Sequence, residues 1–331
     1  MVVEIRSPFA SLVPANARRP QTLIARTDEL SEQIRRKYVN ADSFKSIRLW
    51  LSHHFLDYRH LRQFSASGFC LIGCSQNALL IPRFIEGTDI VGNRSTEIFV
   101  TNEALVLAAA NRILGIMTNS VLARGQCHLV LSGGSTPGNV FKRLASDDNK
   151  SRVDWNSVFF YWGDERTVPP DHVDSNYKTA YETMLSFIPA PDGNILRMRG
   201  ELEPETAAEE YQKKLLDRFS NSLPRFDLIM LGMGNDGHTA SLFPGTTAVE
   251  EKKRLVAPVF VDRLNTWRIT LTPHLINNAR SILFLVSGTS KASMVRQVLT
   301  STPDKSLPST LIAPANGELI WMLDKDAASL L

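Results

Sequence analysis

Asp236 and His238 stand two residues apart in the stretch DLIMLGMGNDGHTASLFPGT, residues 227–246, which opens with the pattern of a short buried strand over Asp227 to Leu231. Gly232, Gly234 and Gly237 free the backbone to turn sharply, so the acid and the histidine emerge at a strand end, where α/β sheets place their ligands. A histidine there can take up a proton and return it near neutral pH, and proton transfer is the chemistry this stretch offers. The same glycines spell GxGxxG, but that fingerprint needs a long following helix, and Pro244 and Gly245 leave room for a short turn only. Dinucleotide binding is therefore rejected.

A second chemical site is an anion loop. The apolar run His128 to Leu131 leads into SGGSTPG, residues 132–138, and then a helix to about Ala145. Gly133 and Gly134 allow backbone N–H groups to point at an anion, Ser135 and Thr136 add hydroxyl donors, and Pro137 suits the first turn of a helix whose N-terminus favours negative charge. Gly133 and Gly138 have Walker A spacing, yet Asn139 and Val140 occupy the places of its Lys and Ser/Thr, which points to a phosphate group and away from a nucleoside triphosphate. A tight turn without a ligand is the plainer alternative.

Further charged residues sit at predicted strand ends. Ser157 to Trp162 delivers Gly163, Asp164, Glu165 and Arg166, of which Asp164 and Arg166 form either an ion pair or a functional pair. Arg268 lies in the strand Trp267 to Thr272, where a charge is costly unless it meets an anion or an acid. Lys291 follows the apolar run Ile282 to Val286, as a ligand contact or as an exposed lysine.

The elements that must position these residues begin at Glu97. A strand over Glu97 to Val100 precedes a helix from Asn102 through Met117, and Asn194 to Met198 reads as a short strand before a helix from Pro204 to Phe219. Leu255 to Val261, Leu311 to Ala313 and Glu318 to Leu323 complete the strands. Alternating strands and helices predict an α/β domain over 96–326, preceded by an extension over 1–95.

The 331 residues are 43% hydrophobic and 21% charged, and no apolar run approaches the roughly 18 residues of a membrane span. Residues 1–95 carry 13 Lys+Arg against 8 Asp+Glu, whereas 96–331 carry 24 against 26, a balance that argues against a large nucleic-acid footprint. Cysteines at 70, 74 and 127 without a CxxC pair fit a reducing compartment, and the seven histidines show no zinc spacing, so no metal is expected. Cys70 and Cys74 read as packing residues. The extension, with Pro8, Pro14 and Pro20 and a helix over about 28–64, reads as a loosely ordered segment, a targeting peptide or a small DNA-binding module. Glu4, Asp28, Glu29 and Glu32 are more acid than a targeting peptide usually carries.

In order and spacing, SGGSTP (132–137), GDERTVPPDHVDSNY (163–177), LGMGNDGHTASLFPGT (231–246), RITLTP (268–273) and LVSGTSKA (285–292) resemble the 6-phosphogluconolactonases, within the wider family that includes glucosamine-6-phosphate deaminase. The resemblance covers about residues 96–326. It implies a modified Rossmann-like three-layer α/β sandwich with a mostly parallel sheet, no cofactor or metal, and hydrolysis of 6-phosphoglucono-δ-lactone. It further implies that Gly133, Gly134, Ser135 and Thr136, with Arg268 and Lys291, hold the phosphate, that His238 acts at the lactone, and that Asp164, Arg166 and Asp236 line the same cleft. Asp236 orients the histidine or substrate, or caps the turn. The oxyanion falls to Arg166 or to backbone N–H groups of the glycine turn.

Two other functions remain in view. A deaminase of the same fold needs a further acid soon after the histidine, and the first acid after His238 is Glu250. A sugar-phosphate-sensing regulator would use the basic extension on DNA, although no helix-turn-helix is evident before residue 95. The expected partner is thus a small sugar phosphate lactone, without nucleic acid or membrane. The expected compartment is the cytoplasm, or an organelle if the extension is cleaved.

Overall fold

The computed structural model describes residues 69–74, 77–82, 85–91, 93–300, 304 and 306–331, so the expected helix over 28–64 lies outside the described residues. The side chains of Cys70 and Cys74, expected to pack, lie outside them too. The chain divides into two units, Met1–Pro82 and Arg83–Leu331. In the first, β1 (Phe69–Cys74) pairs antiparallel with β2 (Asn77–Pro82).

The second unit is built on a seven-stranded sheet. Its strands are β3 (Ile85–Val91), β4 (Arg94–Phe99), β5 (Cys127–Leu131), β6 (Val158–Trp162), β8 (Leu228–Leu231), β11 (Ser281–Val286) and β12 (Glu318–Asp324), in the order β3-β4-β12-β11-β8-β5-β6. Every pairing is parallel except β3 with β4. The sheet therefore starts ahead of residue 96. Every residue of β5, β8 and β11 is buried, as parallel strands covered on both faces require.

Helix α1 (Asn102–Arg124) covers this sheet with a buried stripe of Leu105, Ala109, Ala110, Ile113, Leu114 and Met117. It is capped by Thr101, whose side chain accepts from the Ala104 N–H at 3.2 Å, and it ends past Met117 because Gly125 takes the left-handed conformation at φ 75°. Contrary to the expectation from composition, this helix is long and apolar enough to cross a membrane. Its burial against β4, β5 and β12 accounts for those apolar residues as core.

A smaller antiparallel sheet joins β7 (Asp164–Arg166), β10 (Thr266–Leu271) and β9 (Val256–Val261). It grows from the main sheet through Gly163, whose N–H donates to Leu131 O (3.0 Å) and whose carbonyl accepts from the Leu271 N–H (2.8 Å). Two expected strands are absent. Asn194 to Met198 makes a single bridge, Ile195 with Phe160, and of Leu311 to Ala313 the first residue ends the 3₁₀ turn Pro308–Leu311 while Pro314 follows the last.

His128 on β5 shows how tightly the core is closed. It is 5% exposed, packs on Phe159, Tyr161 and Phe219, and its Nδ1 is 2.8 Å from the Tyr161 hydroxyl. Burial lowers its pKa to about 4. Between about pH 6.5 and 4 the unfolded chain binds a proton here that the folded chain refuses, so stability is lost as pH falls through that window, by on the order of 3 kcal/mol. Urea midpoints across this window should fall less steeply in His128→Gln than in the parent. Parallel slopes would mean that His128 is already protonated in the fold.

Candidate active site

The strand order creates one switch point. From β5 the chain leaves outward toward β6, and from β8 it leaves the other way toward β11, while β5 and β8 lie side by side with Leu129 opposite Leu228. The crevice between diverging loops is where such sheets bind ligands. Here it is walled by the loop after β5 on one side and the glycine turn after β8 on the other.

The loop after β5 enters α2 (Ser135–Leu144), and the chain after β7 enters α4 (Asn176–Thr183); the short α3 (Asp147–Lys150) lies between them in sequence. A cleft of about 420 Å³ opens between α2 and α4, lined among others by Gly134, Ser135, Asn139, Lys142, Arg166 and Asn176. Gly133 is required by close approach, since a Cβ there would sit 1.9 Å from Asn176 Oδ1. Thr136 shares a hydrogen bond with Ser287, 2.9 Å, at the end of β11. Three predicted residues, Gly134, Ser135 and Arg166, are thus brought to one cavity.

Arg166 and Arg268 face each other directly across the β7–β10 ladder. Like charges in that register repel unless an anion lies between them. Arg166 donates to Asp174 O (2.6 Å) and Arg268 to Trp267 O and Thr266 Oγ1 (2.9 and 3.0 Å), but among the described residues neither forms an ion pair with a carboxylate. Burial and the neighbouring Arg166 both push the Arg268 guanidinium below its ordinary pKa. Asp164, Asp174 and Glu165 act on Arg268 in the opposite sense from a distance.

Of the two alternatives for Asp164 and Arg166, the ion pair is not formed. Asp164 is 7% exposed, accepts from Ser241 Oγ at 2.6 Å, and takes the Asn176 amide on its backbone carbonyl at 2.9 Å. It ties the turn that carries His238 to the helix beside the phosphate loop. Glu165 accepts the N–H groups of Asn176 (2.7 Å) and Tyr177 (2.8 Å) at the start of α4; burial raises its carboxyl pKa, with those N–H groups opposing.

Within the glycine turn His238 Nδ1 lies 2.5 Å from Asp236 Oδ1. An ionised carboxylate only accepts, so Nδ1 carries the hydrogen and Nε2 keeps the lone pair. Burial alone would raise the Asp236 carboxyl pKa, but the hydrogen bond and charge of His238 outweigh it and hold the group below its usual value. A Cβ on Gly234 would meet His238 Nδ1 at 2.0 Å, which makes glycine obligatory beneath the ring. The turn is fastened by Gly234 N–H to His238 O (2.8 Å), Gly237 N–H to Gly234 O (3.1 Å) and Ser309 Oγ–H to Gly237 O (2.8 Å). Lys291, in the turn after β11, feels the charge of Asp236, although burial leaves its ammonium below the ordinary value.

The predicted residues therefore fall into two neighbouring groups. Gly134, Ser135 and Arg166, with Arg268 paired to Arg166 across the small sheet, form one, and Asp236 and His238, with Lys291 within reach of the Asp236 charge, form the other. The Asp164–Ser241 and Thr136–Ser287 bonds join them. Missed in the sequence were Lys142 in the cleft, Ser241, Arg263 with its Nη2 at 2.7 Å from Asp236 Oδ2, and Phe243, whose ring centroid is 4.2 Å from that of His238. Asn176 was visible only as part of the stretch GDERTVPPDHVDSNY. Arg263 lies between two predicted strands, where no motif marks it.

A pair of facing arginines beside a histidine–acid pair, at the switch point of a mostly parallel sheet, defines a class of α/β protein equipped for a small anionic substrate. The chain belongs to the family described as glucosamine-6-phosphate isomerases/6-phosphogluconolactonase, whose profile matches residues 100–321. A protein named 6-phosphogluconolactonase from Synechocystis sp. is 37% identical over 236 residues, which is 70% of this chain and 95% of that protein. 6-Phosphogluconolactonase 3, chloroplastic, from Arabidopsis thaliana is 37% identical over 248 residues, 72% of this chain and 75% of its own. The solved structure of 6-phosphogluconolactonase from Trypanosoma brucei matches with a TM-score of 0.64 at 30% identity, covering 71% of this chain and 98% of that one.

Because Asn176 fills the space a Gly133 side chain would need, Gly133→Ala should push the Asn176 amide off Asp164 and destabilise the fold by about 1–3 kcal/mol. A chemical denaturation midpoint equal to that of the parent would show that Asn176 moves aside freely.

Proposed function

We propose that the chain hydrolyses 6-phospho-D-glucono-1,5-lactone to 6-phospho-D-gluconate, the lactone step of the oxidative pentose phosphate pathway, with His238 as general base. The observation that carries this reading is the juxtaposition of the Arg166–Arg268 pair, which among the described residues forms no ion pair with a carboxylate, with a histidine whose Nδ1 bonds Asp236. The substrate phosphate, with about two negative charges at neutral pH, binds at the α2 N-terminus, Ser135, Thr136 and the two guanidinium groups, with Lys291 as a further cation.

His238 Nε2 takes a proton from water as the water oxygen bonds to the lactone carbonyl carbon. With Arg166 engaged on the phosphate, the developing oxyanion falls to backbone N–H groups of the glycine turn other than those of Gly234, Gly237 and His238, which are bonded within it. Collapse of the tetrahedral intermediate breaks the bond to the ring oxygen, which receives the proton from Nε2. The new carboxylic acid then ionises. Asp236 holds the tautomer and stabilises the transient imidazolium, while Asp164 acts by position, through Ser241. We assign the cytoplasm as compartment. A full-length fluorescent fusion collecting in an organelle would overturn that assignment.

The test follows freshly formed 6-phosphogluconolactone against its spontaneous hydrolysis. His238→Ala should lower kcat by about 10²–10⁴-fold with an unchanged thermal midpoint, and a parent-like rate would rule out the base assignment. Arg268→Ala should lower kcat/KM for the phosphorylated lactone about ten- to a hundredfold, the worth of one charged hydrogen bond, while leaving unphosphorylated gluconolactone unaffected. An equal loss on both lactones would place the phosphate elsewhere. Ammonia release from glucosamine 6-phosphate would assign the deaminase reaction.

A further inference from the structure

Arg263 lies in the short turn Asp262–Leu264 between β9 and β10, which Asn265 closes in the left-handed conformation at φ 46°. Its Nη2 is 2.7 Å from Asp236 Oδ2, while Asp236 Oδ1 holds His238 Nδ1. The two oxygens of one carboxylate are therefore engaged by different partners. The guanidinium carbon is also 5.3 Å from the centroid of the Phe243 ring against which His238 lies. Arg263 and His238 thus share both an acid and an aromatic platform. With 56% of its side chain exposed, Arg263 adds little to the stability of the fold, since ion pairs this open to solvent are weak.

We propose that Arg263 is a positioning residue for proton transfer at His238, holding Asp236 in the rotamer that keeps the imidazole lone pair on Nε2. The proposal rests on the reading of His238 as the base. A carboxylate held at one oxygen only can rotate and let the ring turn or change tautomer; held at both, it cannot. Arg263 also offsets the charge of Asp236. Lys291 acts on Asp236 in the same sense from the turn after β11, and Asp164 is tied to the same turn through Ser241. Both remain in place when Arg263 is replaced.

The test compares kcat, KM and the pH dependence of kcat/KM for the parent, Arg263→Gln, Arg263→Lys and His238→Ala. Arg263→Gln should lower kcat at neutral pH about tenfold with KM within about twofold, and should displace the acid limb of the kcat/KM profile. Arg263→Lys, which keeps the charge, should recover most of both. A raised KM with kcat and the acid limb unmoved would make Arg263 a substrate contact and overturn the proposal, as would a parent-like profile. Should His238→Ala keep the parent rate, the base itself is lost and both readings fall; loss of activity in His238→Ala beside a parent-like Arg263→Gln overturns the positioning role alone.

Discussion

Two parallel strands, β5 and β8, run side by side with Leu129 opposite Leu228, and the loops that leave them must diverge because the chain continues to opposite sides of the sheet. That constraint opens the crevice. It sets the phosphate loop and the histidine turn against each other as a consequence of strand order, and burial of every residue in both strands keeps their ends level. The loops need little regular structure of their own. What they need is fastening, and Asp164 supplies it by bonding Ser241 on the histidine side and Asn176 on the phosphate side.

Within the crevice charge is deliberately unequal. Asp236, the acid nearest the reacting histidine, is engaged by His238 and Arg263, and Asp164 and Glu165 are held by hydroxyl and amide donors. Arg166 and Arg268 are left facing each other. At Arg268, burial and their mutual repulsion outweigh the more distant charges of Asp164, Asp174 and Glu165. The Asp236–His238 pair is arranged on the opposite principle, with each oxygen of Asp236 engaged by its own partner, His238 or Arg263.

The legible parts of this arrangement were those governed by local rules. Strands β5, β8 and β11 are covered on both faces and therefore read as unbroken apolar runs, and the glycines at 133, 134 and 234 mark turns whatever surrounds them. Asp164 to Arg166 gave no strand signal, because three charged residues join a sheet only when a partner strand, here β10, supplies the ladder. Asn194 to Met198 had the composition of a strand but found no ladder beyond one bridge. The ties of Asp164 to Ser241 and of Arg263 to Asp236 join residues far apart in the chain through a single side chain each, and no spacing rule reaches them.

The most direct measurement is the position of 6-phosphogluconate in a crystal of the complex. The phosphate should lie between Arg166, Arg268 and the N–H groups at Ser135, with a carboxylate oxygen within hydrogen-bonding reach of a water on His238 Nε2. A phosphate bound at the glycine turn, or a carboxylate turned away from His238, would contradict the account.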